Sequence, residues 1–166
     1  MYQPLQARLT ISSDIALLGL LGDWAVALAR AVPGAEGAID LELNLRLVLT
    51  ELFSNCIRHA YNDTPDGQVE IEFKAGPGGI DVSVTDSGPG LPPHVDIDNL
   101  QLPEDNAQAD AGRGLFLVRQ LVDRLTYARA NGRTTFSIRL HVPEEPLPDE
   151  ALLRELLMEG QTSSST

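Results

Sequence analysis

The chain has 166 residues, and its 24 acidic and 12 basic side chains give a formal net charge of -12 at pH 7. A chain of this length suits one domain with a sizeable core. Its acidity argues against general binding to nucleic acids, because it would repel their phosphates. The single cysteine, Cys56, excludes an internal disulfide, and the three histidines lack zinc-site spacing. Without a long apolar run or a signal-peptide pattern, we expect a cytoplasmic protein that does not bind membranes.

The first part of the chain predicts one strand followed by two helices. Apolar and polar residues alternate over 5–11, which is typical of a half-buried strand. A helix is expected after Asp14, a capping residue, and should end at Pro33. A second helix follows Asp40 and continues to about Tyr61, where a run of turn-forming residues begins.

The next part predicts two hairpins separated by a loop and a third helix. In chain order these are strands 69–74 and 80–86, an aperiodic loop at 88–112, a helix at 115–125, and strands 126–130 and 133–142. The Asn131-Gly132 dipeptide between the last two strands strongly favours a tight hairpin. Hairpins beside helices indicate an α+β fold, a mostly antiparallel sheet with about three helices on one face.

The C-terminal part has a different composition. Residues 143–148 are rich in proline and predict a stiff linker, while 149–160 carry a short helical stripe of leucines. Residues 161–166 read as a disordered tail. We therefore expect the compact domain to span 1–142.

A polar stripe lies on the second predicted helix. Glu51, Asn55 and His59 recur every four residues, so their side chains project from one side of that helix. Such a stripe beside an apolar face is common on solvated helices. On its own it therefore leaves a solvated edge and a functional site as alternatives.

Asp86 occupies an inward position at the end of a predicted strand. It continues the alternation of Ile80, Val82 and Val84, immediately before the turn Ser87-Gly88-Pro89-Gly90. A buried carboxylate needs a hydrogen-bond partner, because an unpaired buried charge is costly. An amino group of a ligand would serve, and so would the backbone of the following turn.

Two further features point to the same region. Gly112, Arg113 and Gly114 open a predicted helix, where backbone N–H groups and the helix dipole favour an anion, although a flexible hinge would use the same glycines. Thr134 is in phase with Phe136 in the last strand and therefore faces the same interior as Asp86. Its hydroxyl, once buried, also needs a partner.

Together these segments resemble the four motifs of the ATPase superfamily that includes gyrase, histidine kinases and the mismatch-repair protein MutL. The segments are Glu51-Leu-Phe-Ser-Asn55-Cys-Ile-Arg-His59-Ala-Tyr, Asp86-Ser-Gly88-Pro-Gly90, Gly112-Arg-Gly114 and Gly132-Arg-Thr134-Thr-Phe136. The resemblance covers about residues 5–142 and implies a two-layer α/β sandwich of the Bergerat type. Within the superfamily, the chain is most similar to the stand-alone serine kinases of bacterial partner switching, the anti-sigma factor kinases.

The resemblance implies a role for each motif in binding ATP and Mg²⁺. Asp86 would accept a hydrogen bond from the adenine amino group, and Thr134 would reach the same site through water. Gly88 and Gly90 would let the base lie against the backbone. Arg133 departs from the pattern, since many members have a second glycine there.

The remaining motif residues would serve the phosphates. Asn55 would hold Mg²⁺, Glu51 would act as general base, and a lid at 91–111 would close over the site. His59 would belong to the same nucleotide site. The residues expected to cradle the phosphates are Gly112, Arg113 and Gly114. Positioning and charge neutralisation of this kind are what phosphoryl transfer requires of a protein.

The resemblance also implies partners. The substrate would be a serine or threonine of an anti-sigma factor antagonist of the STAS type, and a sigma factor or another regulator would bind to the same surface. A homodimer is expected. A local patch of Arg8, Arg30 and Arg46 is the candidate docking surface.

Two alternatives to this kinase remain. The chain could be a sequestering module that binds nucleotide without transferring phosphate, although Glu51 would then have no use. It could also be a histidine-kinase-type catalytic domain acting in trans, since no histidine precedes His59 and the acceptor would lie on another protein.

Overall fold

The computed structural model describes residues 4–33, 35, 39–76, 78–101 and 110–142. The predicted linker, C-terminal helix and tail, at 143–148, 149–160 and 161–166, lie outside the described residues, as does 102–109 of the predicted lid. The elements in chain order are β1 (Leu5–Ser12), a 3₁₀ turn (Ile15–Leu17), α1 (Leu18–Arg30), α2 (Ile39–Asn55), a π-helical turn (Cys56–Ala60), β2 (Gln68–Gly76), β3 (Gly79–Asp86), α3 (Asp110–Leu121), β4 (Arg124–Ala130) and β5 (Arg133–Leu140).

The five strands form one sheet in the order β1-β2-β3-β5-β4, and every neighbouring pair is antiparallel. Apolar residues alternate along the strands and pack with the helices in a single buried core. The opposite face of the sheet carries polar, partly exposed side chains such as Glu72 and Thr85. The predicted α+β fold, with helices covering one face of the sheet, is confirmed.

The structure refines three predicted boundaries. The second helix is α-helical only to Asn55, and its last five residues widen into the π-helical turn, which sequence periodicity does not reveal. The third helix begins at Asp110, so Gly112 and Gly114 lie inside its first turns instead of before it. Strand β4 begins at Arg124, two residues earlier than expected.

The predicted patch of Arg8, Arg30 and Arg46 is not one surface. Arg8 lies in β1 on the polar face of the sheet, where it pairs with Glu72, whereas the other two arginines lie on the helical layer. Arg30 and Arg46 bridge α1 and α2 through Glu42, at 2.9 Å, and Asp23, at 3.6 Å. The prediction failed because β1 turns alternate side chains to opposite faces of the sheet.

Arg133 also points to the polar face of the sheet. Its guanidinium lies 2.8 Å from the Glu70 carboxylate, while its neighbour Thr134 is buried on the helical side. The departure at Arg133 therefore does not place a charged side chain among the inward residues. No helix in the described part of the chain is long and apolar enough to cross a membrane.

Candidate functional site

A cavity of about 600 Å³ lies where β3 ends and β5 begins. The end of α2, the π-helical turn, the loop after β3 and the first turn of α3 complete its walls. Its lining is largely apolar, with Leu91, Leu115 and Phe136 among the contributors. An apolar cavity with a few polar groups is the usual form of a small-molecule site.

Asp86 and Thr134 form the strand-borne end of the cavity. They face each other directly in the register of β3 and β5, and they are 4% and 2% exposed. The Gly88 N–H donates to Asp86 Oδ1 at 2.7 Å, and the Cys56 thiol donates to Oδ2 at 3.4 Å. A carboxylate offers about four acceptor positions, so Asp86 retains capacity toward the cavity.

The Thr134 hydroxyl lacks a hydrogen-bond partner among the residues that the structure describes. A buried polar group left in this condition costs stability unless water or a ligand meets it. Because Thr134 lines the cavity next to Asp86, a ligand placed there would meet both groups.

Cys56 is the unexpected member of this end of the site. Burial raises the pKa of its thiol well above the ordinary value, and the negative charge of Asp86 raises it further. The thiol therefore stays protonated near neutral pH and acts as a donor to Asp86. Its position directly after Asn55 places it on the cavity wall, which the spacing of the polar stripe did not indicate.

Glu51 and Asn55 lie one turn apart on α2, facing Gly114 of α3. A Cβ atom on Gly114 would lie 2.6 Å from Glu51 Oε2 and 3.6 Å from Asn55 Oδ1. A side chain at this position would therefore displace the Glu51 carboxylate, which glycine leaves in place. Asn55 Nδ2 is buried and is not hydrogen-bonded to any of the described residues.

The glycines after β3 also permit close approaches. A Cβ on Gly88 would lie 2.4 Å from the Cβ of Ala60, so the turn packs directly on the π-helical turn. Gly90 has a φ of +83° and lies against the Tyr127 hydroxyl, where a Cβ would be 2.4 Å away. Both glycines therefore serve the packing of the turn, and Gly90 also lines the cavity.

Short-range hydrogen bonds hold the described part of the predicted lid, residues 91–101. Asp96 accepts from the Asn99 amide at 2.8 Å and from the Asp98 N–H at 3.0 Å, and these bonds lower the pKa of its carboxyl. The Val95 N–H donates to the Pro92 carbonyl at 3.0 Å. The segment forms short turns and supplies part of the cavity wall, including Leu91 and Asp96.

The structure brings most of the predicted site residues to one cavity. Those that line it are Asn55, His59, Asp86, Gly90, Gly112 and Thr134. Glu51, Gly88, Arg113 and Gly114 are adjacent in the chain or in contact with these residues, but they do not form part of its lining. Sequence reasoning missed Cys56, Leu115 and Phe136, although the phase of Phe136 with Thr134 could have identified it.

Among the described residues there is no group of three histidine, cysteine or acidic side chains that could hold a metal ion. A cation at this site would take Asn55 together with oxygens of a ligand. Mg²⁺ binds in this way, with few protein ligands and several oxygens from phosphate or water. The side-chain oxygen of Asn55 would be the protein ligand, whereas the unpartnered Nδ2 is a donor that suits a phosphate oxygen.

Residues 11–140 match the family model described as a histidine kinase-like ATPase domain. The chain is 26% identical over 121 residues to the anti-sigma F factor of Geobacillus kaustophilus, covering 70% of this chain and 81% of that protein. It is 28% identical over 108 residues to the serine-protein kinase RsbW of Bacillus velezensis, covering 57% and 61%. A sensor histidine kinase component of Mycobacterium tuberculosis, HK1, is 32% identical over 133 residues, covering 73% and 74%.

Solved structures show the same fold. A structure of RsbU and RsbW domains from Mycobacterium tuberculosis superposes with a TM-score of 0.56 at 18% identity, covering 87% of this chain. The chain spans 34% of that longer protein. A blue-light activated histidine kinase of Erythrobacter litoralis superposes with a TM-score of 0.51 at 22% identity. The chain belongs to the histidine kinase-like ATPase family.

Proposed function

We propose that this protein binds ATP with Mg²⁺ in the cavity and transfers the γ-phosphoryl group to a serine or threonine of an antagonist protein. In this proposal the protein acts in partner switching and alternately binds a sigma factor or another regulator. The relatives named as an anti-sigma F factor and as serine-protein kinase RsbW support the choice of this class.

One observation carries the proposal. Two buried polar atoms without partners among the described residues, Thr134 Oγ1 and Asn55 Nδ2, belong to residues that line the same cavity. Thr134 lies on a strand and Asn55 on a helix, so the cavity has an unpartnered polar atom on each side. A ligand with a hydrogen-bonding base at one end and phosphates at the other would satisfy both.

The base would lie at the strand-borne end. Asp86 offers a fixed acceptor to the amino group of adenine, and Thr134 offers a hydroxyl beside it. Guanine carries a carbonyl oxygen at the corresponding position. Two acceptor oxygens would then face each other, and no hydrogen bond could form between guanine and Asp86. The site should therefore prefer adenine.

The phosphates would lie at the helix-borne end. Asn55 would hold Mg²⁺ together with phosphate oxygens, and the bound ion would neutralise phosphate charge. Gly112 lies in the first turn of α3 and would bring a backbone N–H group close to the same phosphates, and Arg113 would bring its guanidinium. Gly114 would complete this segment by leaving room for Glu51 and Asn55 beside it. His59 lies on the cavity wall one turn beyond Asn55 and completes this side.

Glu51 would act as the general base. Its carboxylate would accept the proton of the attacking hydroxyl while that oxygen bonds to the γ-phosphorus. The bond from phosphorus to the β–γ bridging oxygen breaks, and ADP leaves with the electron pair. Glu51 lies one helical turn before Asn55 and does not line the cavity, so it can serve the acceptor without holding the nucleotide.

A second candidate is a catalytic component that phosphorylates a histidine on another protein. It is favoured by the 32% identity to HK1, which is named as a component of a sensor histidine kinase. The same nucleotide site would serve both reactions, and only the acceptor would differ.

The first proposal also includes a homodimer. Analytical ultracentrifugation, which gives the mass of the protein in solution, tests it.

The experiment is phosphotransfer from γ-labelled ATP to proteins that copurify with the chain from its native cell. We expect a labelled partner whose phosphate survives acid, because phosphoserine and phosphothreonine are acid-stable. An acid-labile label would favour the histidine acceptor. Chelation of Mg²⁺ provides the negative control.

ATP binding without label on any partner would contradict the kinase and leave the sequestering module in its place. Absence of ATP binding would contradict both kinases and the sequestering module together. A nucleotide-binding measurement on the same preparation therefore has to accompany the transfer assay.

A further inference from the structure

The turn that follows β3 carries part of the cavity wall, yet strand pairing does not hold it. Residues 87–91 lie beyond Asp86, the last residue of β3. Four of them have a backbone N–H group, since the fifth is Pro89. Side chains accept hydrogen bonds from three of these groups: Tyr61 from Ser87, Asp86 from Gly88, and Tyr127 from Leu91.

Tyr61 holds the start of the turn. Its hydroxyl accepts from the Ser87 N–H at 3.0 Å and donates to the Gln68 carbonyl at 2.5 Å. The ring lies over Gly67, where a Cβ would be 2.3 Å from ring carbons. The hydroxyl thereby ties the end of β3 to the beginning of β2, next to it in the sheet.

Tyr127 holds the end of the turn from strand β4. Its hydroxyl accepts from the Leu91 N–H at 3.0 Å, and its neighbour Arg129 donates to the Pro89 carbonyl. The ring packs on Phe136, with centroids 5.3 Å apart and an interplanar angle of 54°. Phe136 lines the cavity, so the tyrosine that holds the turn also supports the cavity wall.

We propose that Tyr61 and Tyr127 are positioning residues that fix the turn 87–91 at its two ends and so form the base-binding wall before a nucleotide arrives. The proposal rests on the proposed function for the identity of the ligand. A wall fixed in advance raises affinity, because ordering of the loop then adds less to the cost of binding.

The test compares Tyr127→Phe and Tyr61→Phe with the parent in the full chain. Each change removes one hydroxyl and retains the ring. Without nucleotide, we expect amide hydrogen exchange to accelerate at Leu91 in the first variant and at Ser87 in the second. We expect ATP and ADP to bind about three- to tenfold more weakly, by the same factor, because the turn contacts the base.

Thr126→Val is the matched control, since it removes a hydroxyl from β4 that bonds only within the sheet, to the Ser137 carbonyl at 3.5 Å. It should alter neither exchange nor affinity. Arg129→Gln is a second variant of the same anchor and should accelerate exchange in the turn. Unchanged exchange in both tyrosine variants overturns the proposal, as does faster exchange with unchanged nucleotide affinity. If the parent binds no ATP, the proposed function fails, and exchange at Ser87 and Leu91 alone decides whether the tyrosines fix the turn.

Discussion

The two ends of the cavity are built differently. Asp86 and Thr134 lie on neighbouring strands and are almost fully buried, so the sheet register fixes their separation and direction. At the helix-borne end Asn55 lines the cavity from α2, and Glu51 lies one turn before it, outside the lining. The surroundings of both side chains depend on how closely α3 approaches at Gly114. One end is set by hydrogen-bonded strands and the other by packing between helices.

This difference suggests a division of labour between recognition and reaction. A strand pair keeps its geometry as long as the sheet is intact, which suits the selection of a base. A contact between helices can adjust by small shifts, which suits groups that must meet a phosphate and an acceptor only when both are bound. Substitutions at the strand-borne end should therefore change nucleotide affinity, and those at the helix-borne end should change the rate of phosphotransfer.

The largest effect is expected at the helix-borne end from Glu51→Gln. The change keeps the size of the side chain and removes the base, so phosphotransfer should slow by roughly 10²–10⁴. Nucleotide affinity should stay within a few-fold of the parent. Transfer from γ-labelled ATP and filter binding on the same protein check both expectations, and a parental transfer rate would contradict the role of Glu51.

At the strand-borne end, Asp86→Asn should mainly lower nucleotide affinity, whereas Glu51→Gln mainly lowers the transfer rate. Replacing the carboxylate removes a charged acceptor worth about 1.5–3 kcal/mol. ATP affinity should fall roughly 10- to 150-fold at about 1.4 kcal/mol per decade. Calorimetry measures this change, with Asp81→Asn as the control, because Asp81 lies on the same strand and pairs with Arg139 on the surface. Equal losses in both variants would show that the effect is not local to the cavity.

A smaller effect is expected from Gly114→Ala, which tests whether contact between the helices sets the reactive geometry. The new Cβ would meet Glu51 Oε2 at 2.6 Å, so the carboxylate must move. We expect about tenfold slower transfer from this displacement. The free energy of unfolding should not fall in this variant, because alanine stabilises a helix by about 1 kcal/mol relative to glycine. Transfer at the parental rate would contradict the claim that packing between α2 and α3 sets the position of Glu51.

The smallest effect concerns the thiol beside Asp86. Because burial raises the pKa of Cys56 in the folded state, its contribution to stability is complete below the unfolded-state value of 9.0 and is lost as pH rises toward the folded value. Above that pH, the free energy of unfolding of the parent should decline relative to Cys56→Ser by up to about 1.4 kcal/mol per pH unit. Denaturant titrations at several alkaline pH values measure the difference. Parallel pH curves for the two proteins would contradict a buried, protonated thiol.

The strand-borne end was largely predictable from the sequence. Alternation in β3 and β5 placed Asp86 and Thr134 on the inner face, and the Asn131-Gly132 turn fixed the hairpin that carries Thr134. The register that sets them opposite each other follows from the pairing of β3 with β5, two strands that are not consecutive in the chain. Sequence periodicity gives the face of a residue but not its partner across such a pairing.

The helix-borne end was less predictable. Spacing placed Glu51, Asn55 and His59 on one side of a helix, but His59 lies within the π-helical turn, so its direction differs from that in an ideal α-helix. The packing of Gly114 against Glu51 depends on tertiary contact, which no local pattern contains. The same holds for Tyr127, whose hydroxyl bonds to a residue 36 positions away in the chain.

The most direct test of the central claim is calorimetric titration of the parent protein with Mg²⁺-ATP and with Mg²⁺-GTP. Asp86 presents a fixed carboxylate acceptor at the strand-borne end of the cavity, where one oxygen accepts from Gly88 and the other from Cys56. The account predicts that ATP binds and that GTP binds at least about tenfold more weakly, because guanine places an acceptor against this acceptor. Equal affinities for the two nucleotides, or no binding of either, would contradict it.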